Sequence, residues 1–299
     1  MGIVAVLILL VVGTSFTLMQ SQPNIDTGQE EDPALAGIIK GAQKTPFNGA
    51  MGMAIDNTGN MYVANSGANN VLEFNSRGKL VRTIGKDKKG QDLIKFPTAV
   101  AVGNQGRIYV ANFGGGGVLI FDSSGKSVGS LDYKGLKPLA LAADSQGNLY
   151  VSDSQSHKIY VFDPAGKLKL AFGGKDEFSF VNGIAVDEKN RRLIIVDSNN
   201  YRLALYNFQG RLIQHIKYEQ KGTNLMVAPR GVAWDPDKEE IYLVDAIKDS
   251  ILVLKENGQV VAEFGQKSLE YPVGIARDDK GNLYVTNSQN NRISIFRRA

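Results

Sequence analysis

The side chains best suited to chemistry are scarce in this sequence. His157 and His215 are its only histidines, and it contains no cysteine. Two histidines cannot build a three-histidine zinc site; with a carboxylate they reach at most a His₂–carboxylate set. The lack of cysteine excludes disulfides, thiolate metal ligands, a thiol nucleophile and a lipid-bearing cysteine. No G-x-S-x-G run marks a nucleophile elbow, so a Ser–His–Asp triad is not indicated. Gly114 to Gly117 lack the Lys-Ser/Thr pair and the following helix of a phosphate loop, and read as a flexible turn. The sequence therefore assigns no catalytic residue, no metal site and no cofactor.

Charge is more informative. The whole chain carries a formal +4, yet residues 1–39 contain no Lys or Arg and hold Asp26, Glu30, Glu31 and Asp32. Beyond them 34 basic residues face 26 acidic ones, a net +8. A basic domain attracts nucleic acid, anionic lipid or acidic polymers; the plain alternative is scattered solubilising charge.

These residues sit in a repeat. Tyr62, Tyr109, Tyr150, Ile194, Tyr242 and Tyr284 are each followed twelve residues later by Phe74, Phe121, Phe162, Tyr206, Leu254 and Phe296. In the first five units a glycine follows four residues further on, Gly78, Gly125, Gly166, Gly210 and Gly258. A period of 41 to 48 residues, built from short apolar or alternating runs between Asx and Gly turns, is that of a propeller blade. The expectation is an all-β, six-bladed β-propeller over residues 34–299. The sixth unit stops after its third strand, and residues 34–40 resemble the fourth strands LVRTIG and LKLAFG. The N-terminal strand is thus expected to close blade six and to remove a free sheet edge.

The units Pro272–Phe296 (PVGIARDDKGNLYVTNSQNNRISIF) and Asn182–Tyr206 (NGIAVDEKNRRLIIVDSNNYRLALY) resemble NHL repeats. The resemblance covers residues 34–299 and implies a six-bladed propeller of bacterial, exported or membrane-anchored type. It does not imply one activity. The family includes RNA-binding domains, sensor domains, protein-interaction modules and an amidating lyase that requires three histidines, so function must be argued from the site.

Before the propeller, residues 2–19 (GIVAVLILLVVGTSFTLM) are apolar and uncharged. As a helix they rise about 27 Å, close to a bilayer core of about 30 Å. They read as a hydrophobic helix acting as signal-anchor, with a cleaved signal peptide as the alternative. Residues 20–33 read as a flexible acidic tether. The expected location is the cell membrane, single-pass, with the propeller on the extracytoplasmic side.

Strands a to d of a blade run outward from the axis, so the a–b and c–d turns share one end and the d–a and b–c loops the other. The first end is uniform (DNTGN, DSQGN, DDKGN; NSRGK, DSSGK, DPAGK) and reads as structural. At the other end two d–a connections are long, spanning 25 residues against 19 to 21 elsewhere. They join blades one/two and four/five and offer Lys86, Lys88, Lys89, Lys95, Lys221 and Met226 as loop-face candidates. The residues expected to line the channel mouth are Met51, Thr98, Leu139, Asn182, Arg230 and Val273, an apolar cup with few polar groups. Arg230 is the foremost, because its planar fork suits a carboxylate or phosphate.

The recurring Asn65, Asn112, Asp153, Asp197, Asp245 and Asn287 read as loop caps, with Lys158, Arg202 and Arg292 bracing them. Trp234 reads as inter-blade packing. The leading functional expectation is a non-enzymatic, monomeric binding scaffold for a protein, peptide or anionic polymer of the cell envelope. The alternatives are an amidating-lyase-like or lactonase-like enzyme at the channel mouth, and a binder of nucleic acid or another polyanion, the nucleic acid disfavoured by the export segment.

Overall fold

The computed structural model describes residues 35–297 other than Lys88, Asp132, Lys221 and Gly222. The expected N-terminal helix and tether, and the candidates Lys88 and Lys221, lie outside the described residues. Among those described, no helix is long and apolar enough to cross a membrane.

The chain begins with β1 (Leu35–Lys40). Blade one is β2 (Ala50–Ile55), β3 (Met61–Asn65), β4 (Asn70–Phe74) and β5 (Leu80–Ile84). Blade two is β6 (Ala99–Val102), β7 (Ile108–Ala111), β8 (Val118–Phe121) and β9 (Ser127–Ser130). Blade three is β10 (Pro138–Ala143), β11 (Leu149–Asp153), β12 (Lys158–Phe162) and β13 (Leu168–Gly173). Blade four is β14 (Val181–Asp187), β15 (Arg192–Asp197), β16 (Arg202–Asn207) and β17 (Leu212–Lys217). A two-stranded ribbon, β18 (Glu219–Gln220) and β19 (Thr223–Asn224), precedes blade five, which is β20 (Pro229–Asp235), β21 (Glu240–Asp245), β22 (Ser250–Leu254) and β23 (Val260–Phe264). Blade six is β24 (Pro272–Arg277), β25 (Leu283–Asn287) and β26 (Arg292–Phe296), with β1 as its outer strand.

Every blade is an antiparallel four-stranded sheet. The inner strands β2, β6, β10, β14, β20 and β24 each touch the next, and β24 touches β2, so the ring closes at six. β1 pairs antiparallel with β26, from Leu35 opposite Phe296 to Lys40 opposite Arg292.

The cores lie between blades, which is why the second strands β3, β7, β11, β15 and β21 are buried along their whole length. The outer strands are buried far less. Ile39, Ile84, Phe172, Ile216 and Phe264 are their inward anchors, and Leu131 plays this part just past β9. The c–d turn of the following blade lies over such an anchor. Gly78, at φ +74°, would bring a Cβ to 3.1 Å from Ile39; Gly125, Gly166, Gly210 and Gly258 meet Ile84, Leu131, Phe172 and Ile216 in the same way. Only glycine combines that left-handed backbone with so little room. The repeated glycine four residues past each third-strand aromatic therefore serves blade-to-blade packing.

The uniform a–b turns share one device. Asp56, Asp144 and Asp278 each accept the backbone N–H four residues on and the hydroxyl of Tyr62, Tyr150 or Tyr284. Carboxylates committed in this way fix a turn rather than await a substrate.

Candidate functional site

The residues expected at the channel mouth fall at one end of the inner ring. In five blades the pairing of the first two strands shifts register early, between Ala50 and Met53, Pro138 and Leu141, Val181 and Gly183, Pro229 and Val232, and Pro272 and Ile275. Met51, Leu139, Asn182, Arg230 and Val273 lie inside these bulged stretches, and all five are half-buried. A bulge frees a residue from the ladder and re-aims it, a feature common beside functional sites. Thr98 is the sixth position and differs: it precedes β6, whose register with β7 is unbroken.

The backbones here approach closely from blade to blade. Gly52 N–H donates to Thr98 O at 3.0 Å. A Cβ on Gly183 would stand 2.6 Å from Arg230 O, one on Gly231 2.6 Å from Val273 O, and one on Gly274 2.5 Å from Met51 O. The bulge residues are thereby held in one annulus by their own main chain.

Sequence reasoning missed a set of hydroxyls that stitch this annulus together. Ser66, Thr98, Ser152 and Ser198 donate to the Pro97, Pro138, Val181 and Pro229 carbonyls of the next blade, and Thr286 donates to Met51 O. Five of the six blade junctions carry such a latch among the described residues. Ala246 occupies the place of Ser66 and Ser198 in blade five, so the five/six junction has none. For four of them the sequence signal was a Ser or Thr beside the strand-b Asx, overlooked because it stands before the Asx in some blades and after it in others; Thr98 instead precedes the first strand of blade two.

Two mouth candidates change meaning. Thr98 is 7% exposed and its hydroxyl serves Pro138, so it is a latch and not a free ligand group. Asn182 Nδ2 donates to Ser198 Oγ, which in turn serves Pro229 O. Arg230, by contrast, has no hydrogen-bonding or ion-pairing partner for its guanidinium among the described residues. It remains the ring's cation.

The loop caps are uniform. The Asn65, Asn112, Asp153, Asp197, Asp245 and Asn287 side chains accept from Asn48, Lys95, Lys137, Ser179, Val227 and Glu270 N–H respectively. Each ties a d–a connection to the end of its own second strand. The bracing expected from the repeated cations is partial. Arg202 bonds Asp197 Oδ2 at 2.8 Å, but Arg292 reaches Ser268 O, and Lys158 is exposed without a bond to Asp153. Trp234 packs between blades, with the Arg192 guanidinium of blade four 5.6 Å from its ring centre.

The two long connections differ from each other. In the first, Asp87 Oδ1 accepts Lys89 and Gln91 N–H, making a compact Asx turn, while Lys86 pairs with Asp92 at 3.1 Å. Lys86, Lys89 and Lys95 are exposed there. In the second, Leu225 N–H returns to Tyr218 O and Lys248 donates to Leu225 O. That loop folds inward, leaving Met226 only 1% exposed, and Met226 is a core residue rather than a contact. An apolar Leu-Met pair in a loop is driven under its own backbone by burial, worth about 1.5–3 kcal/mol per side chain.

Lysine is spread more evenly than the long loops alone suggest. Each of the six d–a connections carries an exposed lysine: Lys44, Lys89, Lys134, Lys175, Lys217 at the close of β17, and Lys267. None of these six ammonium groups has a partner among the described residues. The loop face thus presents a lysine at every junction, with the exposed carboxylates Asp92, Asp176, Glu177 and Glu270 interspersed among them.

The histidines lie apart from that ring. His157 sits in the blade-three b–c turn at φ +59°, and His215 on the outer strand β17. His215 Nδ1 lies 3.2 Å from Arg202 Nη1; burial and then that guanidinium hold its pKa below the ordinary histidine value. Among the described residues no group of three or more His, Asp or Glu side chains is placed to hold a metal ion.

A family model described as "6-bladed beta-propeller" matches residues 136–295, more than half of the chain. The chain belongs to this six-bladed β-propeller family. Over 121 residues, 40% of the chain, it is 27% identical to Protein brain tumor of Drosophila melanogaster, of which that stretch is 12%. The propeller resembles a gluconolactonase of Xanthomonas campestris at TM-score 0.67 and 15% identity, covering 88% of this chain and 90% of that one. It also resembles a histidine-to-alanine variant, described as catalytically inactive, of virginiamycin B lyase from Staphylococcus aureus, at TM-score 0.63, 15% identity and 87% of each chain. At such identities the six-bladed propeller shares its fold with lyase and lactonase propellers, and nothing more.

Proposed function

We propose that this propeller is an NHL-type binding scaffold whose d–a/b–c loop face captures an anionic peptide or polymer around Arg230. The observation that carries the reading is the unpaired Arg230 on the bulged inner ring, encircled by an exposed lysine from every d–a connection. A guanidinium takes a carboxylate or phosphate bidentately, and the lysine rim raises the local concentration of negative chains. The enzymatic alternative is weaker, because neither histidine lies on the inner strands where the mouth residues gather.

The test uses poly-L-glutamate as probe. Arg230→Ala is expected to weaken its binding about tenfold, one lost charge-assisted pair being worth about 1.5–3 kcal/mol. Lys89→Ala with Lys95→Ala should weaken it less and flatten its salt dependence, since exposed charges are screened over about 10 Å at 0.1 M salt. The melting temperature of the lysine variant should not move, because exposed substitutions stay within about 0.5 kcal/mol, and the half-buried Arg230 has no polar partner among the described residues to lose. Unchanged binding in both variants refutes the reading.

The proposed setting is the extracytoplasmic side of the cell membrane, supported by the length and apolarity of residues 2–19. The full chain should then fractionate with membranes and a chain starting at Gln22 should not. Equal solubility of both in the cytoplasm refutes it.

A further inference from the structure

The outer strand of blade four exposes two large aliphatic side chains, more openly than the pair Leu35 and Ile38 of β1. β17 runs Leu212-Ile213-Gln214-His215-Ile216-Lys217, five uncharged residues before its only ordinary cation, and its far edge pairs with nothing. Leu212 and Ile213 are 48% and 50% exposed. Native edge strands are guarded by charge, proline or brevity. β5 has Arg82 at its centre, β13 has Lys169, β23 has Glu263, β1 ends on Lys40, and β9 is a four-residue SVGS. β17, like β1, runs five uncharged residues to one terminal lysine, so its centre carries no charged guard.

Beside it a furrow of about 420 Å³ opens between blades three and four. Phe172 and Tyr206 stack in its wall with ring centres 5.0 Å apart, and Leu212 and His215 of β17 line it beside Tyr206. Asp176 and Glu177, both exposed, stand at its loop end. Arg202 also reaches the furrow but is fully committed, to Asp197 Oδ2, Glu177 O and His215 Nδ1. Arg202 is thus neutralised by the buried Asp197 carboxylate, which leaves Asp176 and Glu177 as the exposed carboxylates of the furrow, with Glu177 Oε2 accepting the Tyr206 hydroxyl.

We propose that β17 is a docking edge for an extended segment of a partner protein, which adds a fifth strand to blade four and places a lysine or arginine side chain in the Asp176–Glu177 furrow. Main-chain pairing supplies the affinity, and one side-chain pocket supplies the selection, as in other strand-addition complexes. The charge of the furrow chooses the occupant. It opposes the anionic ligand proposed for the loop face, so the two sites are chemically distinct, although Asp176 and Glu177 share their connection with the rim's Lys175.

The experiment measures fluorescence anisotropy of two labelled nonapeptides of alternating valine and threonine, one with a central lysine and one with a central glutamate. The lysine peptide should bind the full chain at least tenfold more tightly. Asp176→Asn with Glu177→Gln should remove that preference, Ile213→Lys should weaken the lysine peptide at least tenfold, and Arg230→Ala should leave lysine-peptide binding unchanged. Asp176, Glu177 and Ile213 are exposed and Arg230 is half-buried; unaltered melting curves will show that the fold is kept. Equal binding of the two peptides, indifference to the Asp176/Glu177 pair, or no binding up to about 1 mM, a bare 4 kcal/mol, would each overturn the proposal. Weakened poly-L-glutamate binding with unchanged lysine-peptide binding in Arg230→Ala separates the two sites.

Discussion

A chain lacking residues 35–40 is expected to lose at least about 4 kcal/mol of stability, and with it the cooperative unfolding of the propeller. β1 supplies the outer main-chain pairing of β26, and its Ile39 lies in the core shared by blades six and one, under Gly78. Removing it leaves an unpaired edge and an uncovered core at the same seam, which are separate costs. Ile39→Ala alone should cost about 2–3 kcal/mol as a buried truncation. A synthetic peptide of residues 34–41 added to the shortened chain should restore part of the loss. Urea unfolding measures all three; a shortened chain within about 1 kcal/mol of the parent would show that β1 does not close the ring.

Asp245→Ala should be nearly as damaging, although the residue is an aspartate at the face proposed to bind. Its carboxylate is fully buried and accepts four backbone N–H groups, from Val227, Ala228, Ile247 and Lys248. Alanine leaves these donors without an acceptor, at about 1–3 kcal/mol for each one that stays dry. A total loss of about 3 kcal/mol is expected, with faster amide exchange over residues 223–230. Asp245→Asn keeps one acceptor oxygen and should lose roughly half as much. Stability unchanged within about 0.5 kcal/mol would show that Asp245 is not a structural cap.

The architecture was readable because a propeller writes its geometry at fixed spacing. The step of twelve between large side chains reflects the pairing of β3 with β4 and recurs in all six units, and the glycine four residues beyond it packs as Gly78 does over Ile39 and recurs in the first five. The strand-b Asx residues were legible as caps for the same reason. The site was less legible because it depends on departures from the repeat. Thr98 looked like a mouth residue, yet blade two lacks the bulge of its neighbours and its hydroxyl turns to Pro138. Met226 lay in the longest connection, and length suggested exposure; its apolar neighbour Leu225 was the overlooked sign that the loop folds inward. Asp87-Lys88-Lys89-Gly90-Gln91 repeats the Asx-x-x-Gly spacing of the c–d turns, so its compact turn could have been read directly. The lysine rim could not be seen as a rim until the six connections were placed around one axis. Arg202 alone of its repeat set reaches its Asx carboxylate, since Lys158 and Arg292 face Asp153 and Asn287 in differently shaped turns.

The central claim is that the loop face around Arg230 binds an anionic chain while the opposite face only folds. Hydrogen–deuterium exchange of the full chain with and without poly-L-glutamate tests it most directly. Protection is expected in residues 86–95, 133–137 and 225–231, and absent in the turns 56–60, 75–79, 122–126 and 163–167. Protection confined to those turns, or none on either face at saturating probe, would contradict the account.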